Sequence, residues 1–125
     1  MESWILPVVV AIALLLAWKY WTAYRSPEQL RSIAQALQEG ATLVDVRTVM
    51  EFSSGHLPGA LNLPLGSLHP EAKELGSKSK KIVVYCASGT RSAHAARMLR
   101  KAGFEDVMDL GPMFNGRKLP VLQSE

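Results

Sequence analysis

KIVVYCASGTR, residues 81–91, is the stretch that decides the fold. Ile82-Val-Val-Tyr85 is an unbroken apolar run without polar alternation, which is how a strand covered on both faces of a parallel sheet reads. Cys86 stands at its carboxyl end. A loop of small residues follows, Ala87-Ser-Gly-Thr90, and then a helix from Arg91 to Ala102 whose Ala95, Met98, Leu99 and Ala102 form one apolar stripe. Gly103 ends that helix, with Phe104 placed for the apolar contact of a Schellman turn. Strand, tight loop and helix in this order are half of a parallel α/β unit, and open α/β sheets bind ligands at the carboxyl ends of their strands. The loop N–H groups and the helix N-terminus converge on one point and favour an anion there. The sulfur of Cys86 stands at that point, so a thiolate nucleophile is expected rather than an inert buried thiol. Gly89 lets the backbone turn, while Ala87, Ser88 and Thr90 keep the mouth open.

Outward from this stretch the same architecture continues. Ser26-Pro-Glu-Gln29 has an N-cap serine, a proline at the first helical position and a glutamine placed for a capping box. Leu30, Ile33, Ala34 and Leu37 then share one helix face, and Gly40 ends the helix. Residues 42–46 read as a strand, residues 47–66 as turn chemistry with a brief strand within 60–63, residues 67–75 as a short helix and residues 76–80 as a solvated loop. A last strand lies around residues 106–110, followed by a turn-rich tail. Helices alternating with apolar strands indicate an α/β domain around a mainly parallel sheet.

The chain has 125 residues and a net charge of +3, which leaves room for one compact domain. Glu2, Lys19 and Arg25 are the charges of the first 25 residues, so the remainder carries 12 basic against 10 acidic side chains. That balance argues against a nucleic-acid partner. One cysteine excludes an internal disulfide framework and a multi-cysteine metal site. His69 and His94 are isolated and have no ligand spacing, so no metal is expected.

Residues 4–24, WILPVVVAIALLLAWKYWTAY, have Lys19 as their sole charge. As a helix they would reach about 31 Å at roughly 1.5 Å per residue, which matches a bilayer core of about 30 Å. Trp4 at one end and Trp18, Tyr20, Trp21 and Tyr24 at the other suit the headgroup level, and Lys19 is near enough to snorkel. A cleaved signal peptide would want a positive leader and a small-residue cleavage site, whereas Met-Glu-Ser precedes and Ala-Trp-Lys follows the apolar run. A retained single-pass anchor over residues 1–25 is therefore expected, with a domain over residues 26–125. Lys19, Arg25 and Arg31 on the carboxyl side place that domain in the cytoplasm, where a lone thiol stays reduced.

Cys86-Ala-Ser-Gly-Thr-Arg91 followed by Ser92 resembles the active-site loop of single-domain rhodaneses, the thiosulfate and persulfide sulfurtransferases. Asp45-Val-Arg47, Glu51-Phe52, Gly55-His-Leu-Pro-Gly-Ala60 and Asn62-Leu-Pro64 repeat the family's other signatures in order, so the resemblance covers residues 26–121. It implies a central, mainly parallel sheet of five strands flanked by helices. It also implies that Cys86 takes the outer sulfur of thiosulfate or a persulfide donor and carries it as a persulfide to cyanide or a cellular thiol, without a metal or organic cofactor. The N–H groups of residues 87–91 would stabilise the anionic terminal sulfur. Arg91 would hold the loop and attract the anionic donor. Asp45, Arg47 and Glu51 would make ion pairs and caps that fix nearby loops, and His56 would bond backbone rather than act as a base.

Cysteine phosphatases of related architecture use the longer C-x5-R loop, whereas this one is C-x4-R and has no general acid for an alkoxide leaving group. Two further alternatives keep the fold and change the role: a non-catalytic docking module, and a membrane-tethered persulfide or redox relay. The anchor also implies a membrane protein that supplies or consumes sulfur. One departure from the family pattern falls at Gly111-Pro-Met-Phe114, where a second glycine and a tryptophan are usual. It bears on the packing of the last helix.

Overall fold

Every residue of β3, Ile82–Cys86, is buried. Its side chains divide by parity: Ile82, Val84 and Cys86 enter one apolar layer, and Val83 and Tyr85 enter the other. That division is the two-sided burial an unalternating strand requires. The computed structural model describes residues 2–123. Around β3 stand β1 (Thr42–Asp45), β2 (Leu61–Asn62) and β4 (Val107–Pro112), in the order β2-β1-β3-β4 with all neighbours parallel.

Helix α4, Thr90–Lys101, covers one face through Ala95, Ala96 and Leu99, together with Phe104. The Phe104 N–H reaches back to the Leu99 carbonyl at 3.1 Å and that of Gly103 to Arg100 at 3.0 Å, which closes the helix as its sequence predicts. Helix α2, Pro27–Gln38, covers the other face through Ile33 and opens on the capping box of Ser26 and Gln29. Two short helices complete the domain, α3 (Val49–Ser53) and α5 (Met113–Gly116).

The described residues form four strands, not the five implied by the family resemblance. The physical reason lies at the outer edge of β4. Residues 24–26, the link between α1 and α2, are too few for a strand, and Arg25 among them reaches that edge by its side chain. Arg25 and Arg100 take up the outward carbonyls instead: the Arg25 Nε–H donates to Asp109 O at 2.8 Å, and Arg100 donates to Val107 O at 2.7 Å. Guanidinium groups on an exposed strand edge also block its pairing with another chain. A bulge lets Arg25 approach. The register slips between Val84 and Tyr85, so Tyr85 pairs with Gly111, whose φ of +79° suits a residue without a side chain.

Two segments differ from the sequence reading. Residues 47–66 contain α3, which a Thr48–Glu51 capping box starts. Residues 67–75 do not form one helix; two 3-10 turns, Leu65–Ser67 and Lys73–Leu75, stand on either side of Pro70, which cannot donate to a helical ladder. At the other end of the chain α1, Ile5–Ala23, is a single helix long and apolar enough to cross a membrane, and none of its residues is buried. Pro7 falls in its first turn, where a missing N–H breaks no helical bond.

Candidate active site

Cys86 ends β3 beneath the loop and is fully buried. Its Sγ accepts the Gly89 N–H at 3.0 Å and the Ser92 N–H at 3.3 Å. The Ser92 hydroxyl lies 3.5 Å from the same sulfur and donates to the Gly89 carbonyl at 3.1 Å. Two backbone dipoles at the start of α4 are thus aimed at one sulfur, an arrangement that favours negative charge on it. Gly89 has a φ of +98°, and a Cβ there would sit 3.3 Å from Pro112 of β4, so both its conformation and its surroundings call for glycine. Ala87, Ser88 and Thr90 form the exposed rim.

The two N–H groups that reach the sulfur come from Gly89 and Ser92, so the cradle extends one residue past the predicted 87–91. Ser92 is a buried polar residue that the sequence reading named without assigning a role. Its signal was positional: it follows the loop arginine directly and falls in the first turn of α4, where N–H groups have no helical acceptor.

Arg91 does not point its charge at the sulfur through a direct bond. Its two terminal nitrogens grip both Glu51 oxygens at 2.7 and 2.9 Å. Glu51 also closes the α3 capping box, with Oε1 accepting from the Thr48 N–H at 3.2 Å. The Arg91 guanidinium, then the Thr48 N–H, lowers the Glu51 carboxyl to about 2. Reciprocally, the Glu51 carboxylate raises Arg91. This forked pair, about a third exposed, joins the start of the loop helix to α3.

Asp45 and Arg47 form a second, buried pair at the end of β1. Arg47 Nη2 lies 2.7 Å from Asp45 Oδ2 and donates to the Gly55 carbonyl, also at 2.7 Å. The Asp45 carboxylate raises Arg47. Asn62 of β2 donates to the backbone carbonyls of Asp45 and Arg47 at 3.1 and 2.9 Å. The Tyr85 hydroxyl accepts the Leu57 N–H at 3.0 Å, and burial, then the neighbouring Asp45 carboxylate, pushes its phenol upward, so it stays protonated. These groups tie the 55–57 turn to β1 and β3. His56 stacks on Phe52 with ring centroids 3.7 Å apart, and its Nδ1–H donates to the Phe52 carbonyl at 2.9 Å. It opens on a hollow of about 280 Å³ lined by Arg47, Glu51 and Arg117, to which residues 86–92 do not contribute. The structure therefore brings Cys86, Gly89 and Ser92 into one shell, connects Arg91 with Glu51 beside it, and leaves His56 outside. No group of three or more metal-ligating side chains occurs among the described residues.

Comparisons with known proteins agree with this geometry. Residues 26–111 match the model of the rhodanese-like domain. The chain is 43% identical over 82 residues to a thiosulfate sulfurtransferase, GlpE, of Pseudomonas syringae, covering 65% of this chain and 73% of that protein. It is 38% identical over 74 residues to a putative sulfur carrier protein, YrkF, of Bacillus subtilis, covering 59% of this chain and 40% of that one. Several of the curated relatives are longer proteins of which this chain spans about half or less. Among solved structures, a human single-domain sulfurtransferase superposes with a TM-score of 0.61 at 26% identity, over 71% of this chain and 92% of that one. With its loop, its parallel sheet and a family match over most of its length, the chain belongs to the rhodanese-like domain family.

Proposed function

We propose that this protein is a membrane-anchored sulfurtransferase that carries a sulfane sulfur on Cys86. The observation that supports the reading above all others is the pair of N–H groups, from Gly89 and Ser92, aimed at a sulfur at the carboxyl end of a central strand. The Cys86 thiolate attacks the outer sulfur of thiosulfate; the S–S bond of the donor breaks, and sulfite leaves with its electron pair. The product is a Cys86 persulfide with its negative charge on the terminal sulfur. Cyanide, or a thiolate in a cell, then attacks that terminal sulfur and returns Cys86 as thiolate. Both steps displace sulfur from sulfur, and charge on sulfur is what the loop dipoles stabilise. Glu51 and Arg91 act as positioning residues that hold the loop's helical end, and Asp45, Arg47 and His56 support the turns around it.

A docking role without chemistry has no use for a cradle around a nucleophile, so the catalytic reading is preferred. The relay reading differs only in the donor, a protein persulfide in place of thiosulfate. We further propose that α1 spans the membrane with the domain on the cytoplasmic side, supported by a helix with no buried residue and by basic residues that follow it. The test is production of thiocyanate from thiosulfate and cyanide by the full chain and by its Cys86→Ser variant. Turnover lost with Cys86 agrees with the proposal; an equal rate in both excludes Cys86 as the carrier. Faster transfer from protein persulfides than from thiosulfate would assign the relay role.

A further inference from the structure

Between the carboxyl end of α1 and the catalytic loop lies a cavity of about 270 Å³. Trp18, Lys19 and Arg25 wall one side, residues 88–90 the other, and Arg97 of α4 stands beside the loop. The charges around it are unequal. Arg25 is committed to Asp109, the one acidic group on the cavity, through a 3.3 Å ion pair and the bond to its carbonyl. Lys19 and Arg97 have no ionic or hydrogen-bonding side-chain partner among the described residues. The other lining groups, Thr22 and Ala93, are uncharged, so the cavity is left with two uncompensated cations. Its far wall is the loop itself, and Gly89 belongs to both, lining the cavity while its N–H reaches the sulfur. Arg91, which would otherwise be the charge to meet an anion, is neutralised by Glu51.

We propose that Lys19 and Arg97 determine specificity by forming an entrance for a small oxyanion, the sulfonate end of an anionic sulfur donor, beside the catalytic loop. The apolar helix is then a wall of the site as well as a tether. Cations at a partly enclosed cavity concentrate anions by long-range attraction that salt screens. This inference rests on the sulfurtransferase reading for its donor, but its charge argument is independent of turnover.

The test uses two alkylating reagents of similar size, anionic iodoacetate and neutral iodoacetamide, on Cys86 in the full chain in neutral detergent. Each reaction forms a C–S bond and expels iodide, and the ratio of the two rates cancels changes in thiol reactivity or loop opening. For Lys19→Gln with Arg97→Gln the ratio should fall about five-fold at low salt, and the fall should vanish at high salt. Lys19→Arg should retain the ratio, as should Lys73→Gln, which removes a cation elsewhere. An unchanged ratio in the double variant, or a Cys86 that neither reagent reaches, would overturn the entrance. Repeating the comparison in phosphatidylcholine nanodiscs separates the sources of anion. The same fall in both media assigns the cations to a soluble ligand, and a fall seen in detergent but lost in nanodiscs, where headgroup phosphates would already occupy the cations, assigns them to lipid and overturns the entrance. Persulfide formation from thiosulfate is scored separately on the wild-type chain. Sulfur uptake with an unchanged ratio therefore removes the entrance and keeps the enzyme, and the reverse result does the opposite.

Discussion

At Gly89 three demands meet: a left-handed backbone, contact with Pro112 and an N–H aimed at the Cys86 sulfur. Gly89→Ala should therefore both strain the loop, by about 1–2 kcal/mol, and turn the N–H from the sulfur. Calorimetry and the rate of Cys86 alkylation check the two effects separately, and a variant unchanged in both would deny the loop its constraint. Glu51 gives a prediction in pH. Its carboxyl is held at about 2, below its ordinary 4.5, chiefly by Arg91, so the pair's contribution is fully present above 4.5 and is lost as pH falls from there toward 2. The stability difference between wild type and Glu51→Gln should be constant above that range and shrink within it. Denaturation curves at several pH values measure this, and a difference that grew on acidification would contradict the assignment. Sequence alone singled out Cys86, Gly89 and Arg91 as neighbours at one loop, because a lone cysteine at a strand end, a turn glycine and a loop-ending arginine are marked by residue type. It did not give Ser92 its place, because a serine in a first helical turn reads as an ordinary start residue until its N–H is seen aimed at sulfur.

The elements repeat that contrast. Strand β3 and helix α4 were legible from their apolar patterns, and α2 from its capping box. The brief β2 was also legible, between turn residues. Helix α3 was not, since its five residues are too few for periodicity, although Thr48 and Glu51 carried its cap in plain view. The four-strand count of the described residues could not be read either, because the outer edge of β4 is met by two arginines far apart in sequence in place of a strand. Arg25→Ala would leave the Asp109 carboxylate and a β4 carbonyl without that partner, at a cost of about 2 kcal/mol in urea denaturation. No loss would mean that β4 does not depend on residue 25. Leu99→Ala, which opens a cavity under α4 in the core around β3, should cost about 3 kcal/mol and lower the midpoint without changing the cooperativity of unfolding.

On the scale of the whole molecule, an apolar helix and a rhodanese-like domain meet at the Cys86 loop rather than at the opposite end of the sheet. Asn115 of α5 donates to the Ala23 carbonyl at 3.0 Å, and Arg25 reaches β4, so the end of α1 is fastened to the carboxyl side of the sheet. If α1 spans a bilayer, the full chain should remain with the membrane fraction after washing at high salt and be released only by detergent. Release by salt would make α1 a surface-bound helix instead. The measurement that tests the central claim most directly is the intact mass of the detergent-solubilised full chain after incubation with thiosulfate. The account predicts a gain of one sulfur atom on Cys86, absent in Cys86→Ser and removed by cyanide. A wild-type mass that stays unchanged with thiosulfate and with a persulfide donor would contradict it.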